Sequence, residues 1–117
     1  MLSFSTRCRY FLYGGATDMR KSFDGLCGII RRHTAHSPLS GDVFIFVNRR
    51  ADRIKLLMWD VNGFALYYKR LEQGSIKMPA FVAGANTLEM VWSELVMLLE
   101  GIEIKSIKRR KRYQKSA

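Results

Sequence analysis

At 117 residues the chain has the length of one domain, enough to remove about two-thirds of its unfolded surface from water. With 48% hydrophobic residues, among them seven Phe, five Tyr and two Trp, it is a globular sequence and not a disordered one, and no stretch approaches the ~20 apolar residues of a membrane span. The formal charge of +10 points to a polyanionic partner.

In chain order, Arg7 and Arg9 break the start before any signal-type apolar run forms. Cys8 to Tyr13, "CRYFLY", then reads as a short strand ending at the turn residues Gly14-Gly15. Thr17 is placed to cap a helix, with Asp18 against the positive end of its dipole, so the first helix is expected over Asp18 to His33. Met19, Phe23, Leu26 and Ile30 form its expected buried stripe, and Arg20 and Asp24 its surface pair at i,i+4. "SPLSG" is a loop, and three β-type runs follow: "DVFIFVN", "RIKLLMWD" and "GFALYYKR". The first is apolar on both faces, which suits an interior strand covered on both sides. Asn62-Gly63 is a hairpin signal between the second and third, since both residues tolerate φ > 0. Pro79 interrupts further pairing, a short edge strand is expected near Leu88 to Met90, and Val91 to Glu100 reads as a second helix with Gly101 at its C-terminal cap.

These elements define an α+β class: one domain over residues 1–104, an antiparallel β-meander sheet of about four or five strands. One face is covered by the first helix, the second helix packs nearby, and a mobile basic tail occupies residues 105–117. The tail holds Lys105, Lys108, Arg109, Arg110, Lys111, Arg112 and Lys115 and no acid, which leaves +3 for the rest of the chain; such a block is a common nucleic-acid-binding arm.

The motifs "YGGATDMRKSFDGL", "SGDVFIFVNRRADRIKLLMWDVNGF", "KRLEQG" and "LLEGI" together resemble, in order and spacing, the small TnpB-type accessory protein (second open reading frame product) of bacterial insertion-sequence family sixty-six. The resemblance runs from about Tyr13 to Ile104. It implies a protein encoded beside a separate transposase that assists transposition, without a defined active site. This sequence departs from the pattern modestly. Ala51 stands where another basic residue is frequent, "HSP" (His36 to Pro38) replaces Asp-Pro, and Met78 takes a position that is often aromatic.

Candidate chemistry centres on "NRRADR". If the first two β-runs of the meander pair antiparallel, Arg49, Arg50 and Arg53 lie at or beside a hairpin tip, where planar guanidinium donors suit phosphate oxygens and Asp52 can pair with one of them. Arg20, Lys21, Lys55, Lys69 and Arg70, with Lys108, Arg109, Arg110, Lys111 and Arg112 of the tail, complete the expected DNA-backbone contacts. Lys21-Ser22 lacks the G-x-x-x-x-G-K-[ST] pattern of a phosphate-binding loop. Asp18, Asp24, Asp42, Asp52 and Asp60 each have a local structural explanation, His33 and His36 lack further ligands at zinc spacing, and no catalytic constellation is seen. Tyr67, Tyr68 and Trp59 are aromatic strand residues, the kind that pack cores more often than they stack on bases. Cys8 and Cys27 are expected as free thiols in a reducing cytosol. No cofactor, metal or membrane is expected; the expected partners are element DNA and the transposase, in a cytoplasmic, nucleoid-associated setting. The leading reading is non-catalytic assistance of transposition through DNA binding. Its rivals are an adaptor that meets the transposase through the second helix and the exposed sheet, and, remotely, a metal-dependent nuclease.

Overall fold

A computed structural model describes residues 4–104, so the basic tail lies outside the described residues. The elements run β1 (Tyr10–Ala16), α1 (Phe23–His33), β2 (Val43–Val47), β3 (Arg53–Asp60), β4 (Gly63–Arg70), β5 (Thr87–Met90) and α2 (Trp92–Leu99). They build one five-stranded sheet in the order β4-β3-β2-β1-β5.

The α+β class and the β2-β3-β4 meander match the sequence expectation, but the sheet is mixed. β1 lies parallel to β2, with Tyr10 opposite Val43 and Leu12 opposite Ile45, whereas every other neighbour is antiparallel. The cause is α1: a helical crossover returns the chain to the end of the sheet where β1 began, so the next strand runs the same way.

Strand alternation then sorts the side chains into two cores. Tyr10, Leu12, Val43, Ile45, Ile54 and Leu56 point to one face, where Leu95 and Leu98 of α2 cover them. Phe11, Phe44, Phe46 and Leu57 point to the other, beneath Leu26, Cys27, Ile29 and Ile30 of α1. The helices therefore lie on opposite faces, and β2, apolar on both sides, is buried along its whole length. Each fully buried Leu, Ile or Phe contributes about 1.5–3 kcal/mol, so the fold rests on these two layers.

Local chemistry moves α1 from its expected start. Asp18 accepts the Arg20 N–H on its side chain (2.9 Å), and its carbonyl accepts the Lys21 N–H (3.0 Å). This side-chain turn competes with helix, which begins only after Ser22. Thr17 is not a cap; its N–H donates to the Val47 carbonyl at 2.9 Å and ties the ends of β1 and β2 together. Phe23 opens the helix and is 41% exposed, so Cys27 and Ile29 join Leu26 and Ile30 in the buried stripe in its stead. The expected Arg20–Asp24 pair is replaced by Arg20–Asp18.

α2 begins as the Glu94 carboxylate accepts the Val91 N–H at 2.9 Å. It ends at Gly101 (φ 75°), where the Gly101 and Ile102 N–H groups donate back to Leu98 and Met97, the paired pattern of a left-handed helix stop. No helix among the described residues is long and apolar enough to cross a membrane.

The β3–β4 connection differs by one residue from expectation. Asp60 pairs with Gly63, which makes Val61-Asn62 the loop and puts the left-handed conformation on Val61 (φ 60°), not on the glycine. A β-branched residue is strained there, and Val61 is 88% exposed, so no packing compensates. Val61→Gly is expected to raise the unfolding free energy by about 0.5–1 kcal/mol, the strain relieved less the entropy cost of glycine. A urea titration checks this, with Val61→Ala expected to change little.

Candidate nucleic-acid interface

The connection from β2 to β3 is organised by one side chain. Asn48 Oδ1 accepts the N–H groups of Asp52 (3.0 Å) and Arg53 (2.9 Å), while Asn48 Nδ2 donates to the Asp52 carboxylate at 2.7 Å. The Ala51 N–H closes the turn on the Asn48 carbonyl at 3.0 Å, with Ala51 in the left-handed region (φ 57°). Asp52 is thereby engaged by Asn48 and, contrary to expectation, makes no ion pair with an arginine among the described residues. Arg49 and Arg50 stand exposed on a turn whose backbone is fixed from within.

The parallel pairing of β1 and β2 supplies the opposite wall. Both strands end at this edge of the sheet, so the Thr17–Lys21 turn faces the arginine turn across an open groove of about 320 Å³. Arg20 is bound to Asp18 at 2.6 Å, and those bonds hold the Asp18 carboxyl down at about 2, ionised at neutral pH. Arg20 is thus locally neutralised, whereas Lys21 is exposed with no ion pair of its own among the described residues.

Arg53 links this groove to a second. Its guanidinium donates to the Tyr68 hydroxyl at 3.0 Å, and Arg53, Tyr68 and Arg70 line an adjoining recess of about 200 Å³. Arg53 and Arg70 are direct cross-strand partners, an arrangement of like charges that costs stability in a bare sheet. Arg70 is relieved by Glu72 at 2.7 Å, an exposed contact worth little.

Two lysines take other roles. Lys55 is 5% exposed, and its ammonium donates to the carbonyls of Met19 (2.7 Å) and Lys21 (2.8 Å) and lies 4.6 Å from the Tyr68 ring centroid. It is a strut between β3 and the β1–α1 turn, with carbonyls in place of water, and cannot reach phosphate. Lys69 points to the α2 face, where it donates to the Leu99 carbonyl at 3.0 Å and so caps the negative end of that helix. The structure brings together Arg49, Arg50 and Arg53 on one groove and Arg53 and Arg70 on the adjoining recess, while Arg20 and Lys21 stand exposed on the turn that supplies the facing wall without lining the groove themselves. It separates off Lys55 and Lys69, and Lys108, Arg109, Arg110, Lys111 and Arg112 lie outside the described residues.

Among the described residues no three of His, Cys, Asp and Glu gather as a metal site. Asp42, for example, accepts the Ser40 hydroxyl at the entry to β2. The chemistry the arrangement offers is recognition of anions by a fixed basic surface.

Comparison with known proteins places these features in a family. Residues 8–109 match the family described as IS66 Orf2 like protein, a span that includes every strand and both helices. Two uncharacterized proteins of Sinorhizobium fredii are similar. The one called y4jC is 32% identical over 93 residues, covering 80% of this chain and 78% of its own, and y4hO is 31% identical over 103 residues, 88% of each. No solved structure matches.

Proposed function

From the premise that the chain belongs to the IS66 Orf2-like family, and is a transposition-associated accessory protein of an insertion sequence, we propose that it assists transposition by binding element DNA, helping the transposase assemble on it. Arg49, Arg50 and Arg53 on the Asn48-braced turn meet the phosphate backbone, with Lys21 and Arg70 at the flanks. The observation that carries this reading is the arginine turn itself: its one carboxylate is held by Asn48, so the positive charge is left for an external anion. Contacts of this kind position a protein on DNA and do not read sequence.

An adaptor function would use the second helix and the exposed sheet, and the structure narrows which parts of them are available. The apolar side of α2 is buried on the sheet through Leu95 and Leu98, so that helix does not offer them to a partner. The free edge of β4, eight residues long, is the surface a transposase strand would extend.

Fluorescence anisotropy on the element's terminal inverted repeat and on a scrambled duplex, each at two salt concentrations, tests the proposal. Arg49→Ala/Arg50→Ala is expected to weaken binding about tenfold or more and to reduce the salt slope by about two, one ion per phosphate lost, with an unchanged melting curve. Wild-type affinity in that variant, with binding lost only when residues 105–117 are removed, would transfer DNA contact to the tail and favour the adaptor.

A further inference from the structure

Tyr68 is placed unlike the other aromatic residues of the sheet. Tyr10 is fully buried and Phe64 packs edge-on against Trp59 at 5.1 Å, but Tyr68 is 47% exposed at the open end of β4. Its ring is nevertheless fixed. The buried Lys55 ammonium lies against it at 4.6 Å, its hydroxyl accepts from Arg53 at 3.0 Å, and the recess around it is walled by the guanidinium-bearing side chains of Arg53 and Arg70. The ammonium comes from the protein interior, so the exposed part of the ring is turned to solvent. α1 does not cover this strand: its cluster reaches Phe64 and Leu66 only as partly buried neighbours.

An exposed, immobilised aromatic plane between two cations is a poor feature for stability and a good one for a nucleotide. A base has a π-face that stacks on the ring, and its phosphates carry the negative charge that Arg53 finds in no ion pair among the described residues and that Arg70 meets only in its exposed contact with Glu72. A ring held in place loses little rotamer freedom on binding, and the cation at its rear draws electron density from it, which favours stacking against an electron-rich base. A duplex cannot use this recess, because its bases are already stacked on one another. We propose that Tyr68 is a stacking platform for an unpaired base of single-stranded DNA, with Arg53 and Arg70 holding the flanking phosphates. This rests on the DNA-binding reading and adds the strandedness of the ligand. Since Arg53 borders both grooves, a strand leaving a duplex docked on Arg49 and Arg50 would run directly onto Tyr68.

The test compares an oligothymidylate of about twelve nucleotides with a duplex of equal length, both titrated against the full chain. Tyr68→Leu is expected to weaken single-strand binding about tenfold and leave duplex binding unchanged, while Tyr68→Phe and Tyr68→Trp retain wild-type or tighter single-strand affinity. Tyr68→Thr, which keeps a strand-forming residue, repeats the non-aromatic measurement should the leucine variant fold poorly. If Tyr68→Leu and Tyr68→Thr bind the single strand like wild type while Arg49→Ala/Arg50→Ala weakens duplex binding, the stacking platform is overturned and the DNA-binding reading stands. If Tyr68→Phe loses as much as Tyr68→Leu, the hydroxyl bond to Arg53 accounts for the effect, and stacking is again overturned. If the full chain binds neither DNA, both proposals fall together.

Discussion

Lys55→Ala is expected to lower the unfolding free energy by about 3 kcal/mol, and Lys55→Met by only about 1–2 kcal/mol, in urea titrations of the two variants. The difference follows from what the side chain does. Its stem fills space between β3 and the β1–α1 turn, and its ammonium bonds the Met19 and Lys21 carbonyls. Methionine keeps the volume and relieves the burial of a charge, but leaves two carbonyls to find water. Alanine adds a cavity to that loss. Both variants release the Thr17–Lys21 wall of the groove, and both remove the ammonium beneath Tyr68. A stability loss in Lys55→Met as large as in Lys55→Ala would mean that the carbonyl bonds, and not the packed stem, dominate.

The second large effect is expected at a residue without charge. Asn48→Ala removes three hydrogen bonds from the arginine turn and leaves the Asp52 and Arg53 N–H groups, both in partly buried residues, without their acceptor. A loss of about 2 kcal/mol in stability follows. The functional consequence is sharper: the arginines remain, the net charge of +10 is unaltered, yet duplex affinity is expected to drop about tenfold because the mount is no longer fixed and Asp52 is freed to pair with Arg49 or Arg50. Anisotropy on the duplex used for the arginine variant checks this. Unchanged affinity in a destabilised Asn48→Ala protein would mean that charge alone, without geometry, supports binding.

Much of the framework was legible because its signals are local. The alternation in "RIKLLMWD" and "GFALYYKR" gives β3 and β4 with the observed bounds, and Gly101 ends α2 as its position implies. The direction of β1 was not legible: hydrophobic alternation reads the same in parallel and antiparallel strands, and only the crossover through α1 decides. The start of α1 differs from expectation because Asp18 suits the first turn of a helix and a side-chain turn alike, and the contact with Arg20 selects the turn. Lys55 had a usable signal. It lies two residues from Leu57, on the face that α1 covers; Arg53 shares that face by the same alternation, and only its place at the end of β3 leaves it outside the covered part. Lys69 is one residue from Arg70 and therefore on the opposite face, a consequence of strand periodicity that counting basic residues overlooks. The role of Asn48 depends on backbone donors brought back by the turn, and no spacing rule announces it.

The pairing order of the sheet also leads to an expected order of folding, set by the lengths of chain that each pairing must close. Residues 43–70 form a meander joined by short connections, which can zip together without long loop closure. β1 is expected to dock later, once α1 spans the sheet, and β5, whose one neighbour is β1, after it. During that interval β2, five consecutive apolar residues, presents a bare edge of the type that recruits other chains. On that order the arginine turn forms early and the wall opposite it late, and the groove is expected to be complete only when the β2 edge is covered. By covering the edge of β2, β1 is expected to protect the chain from aggregation, and slow docking of β1 would be felt first as poor solubility.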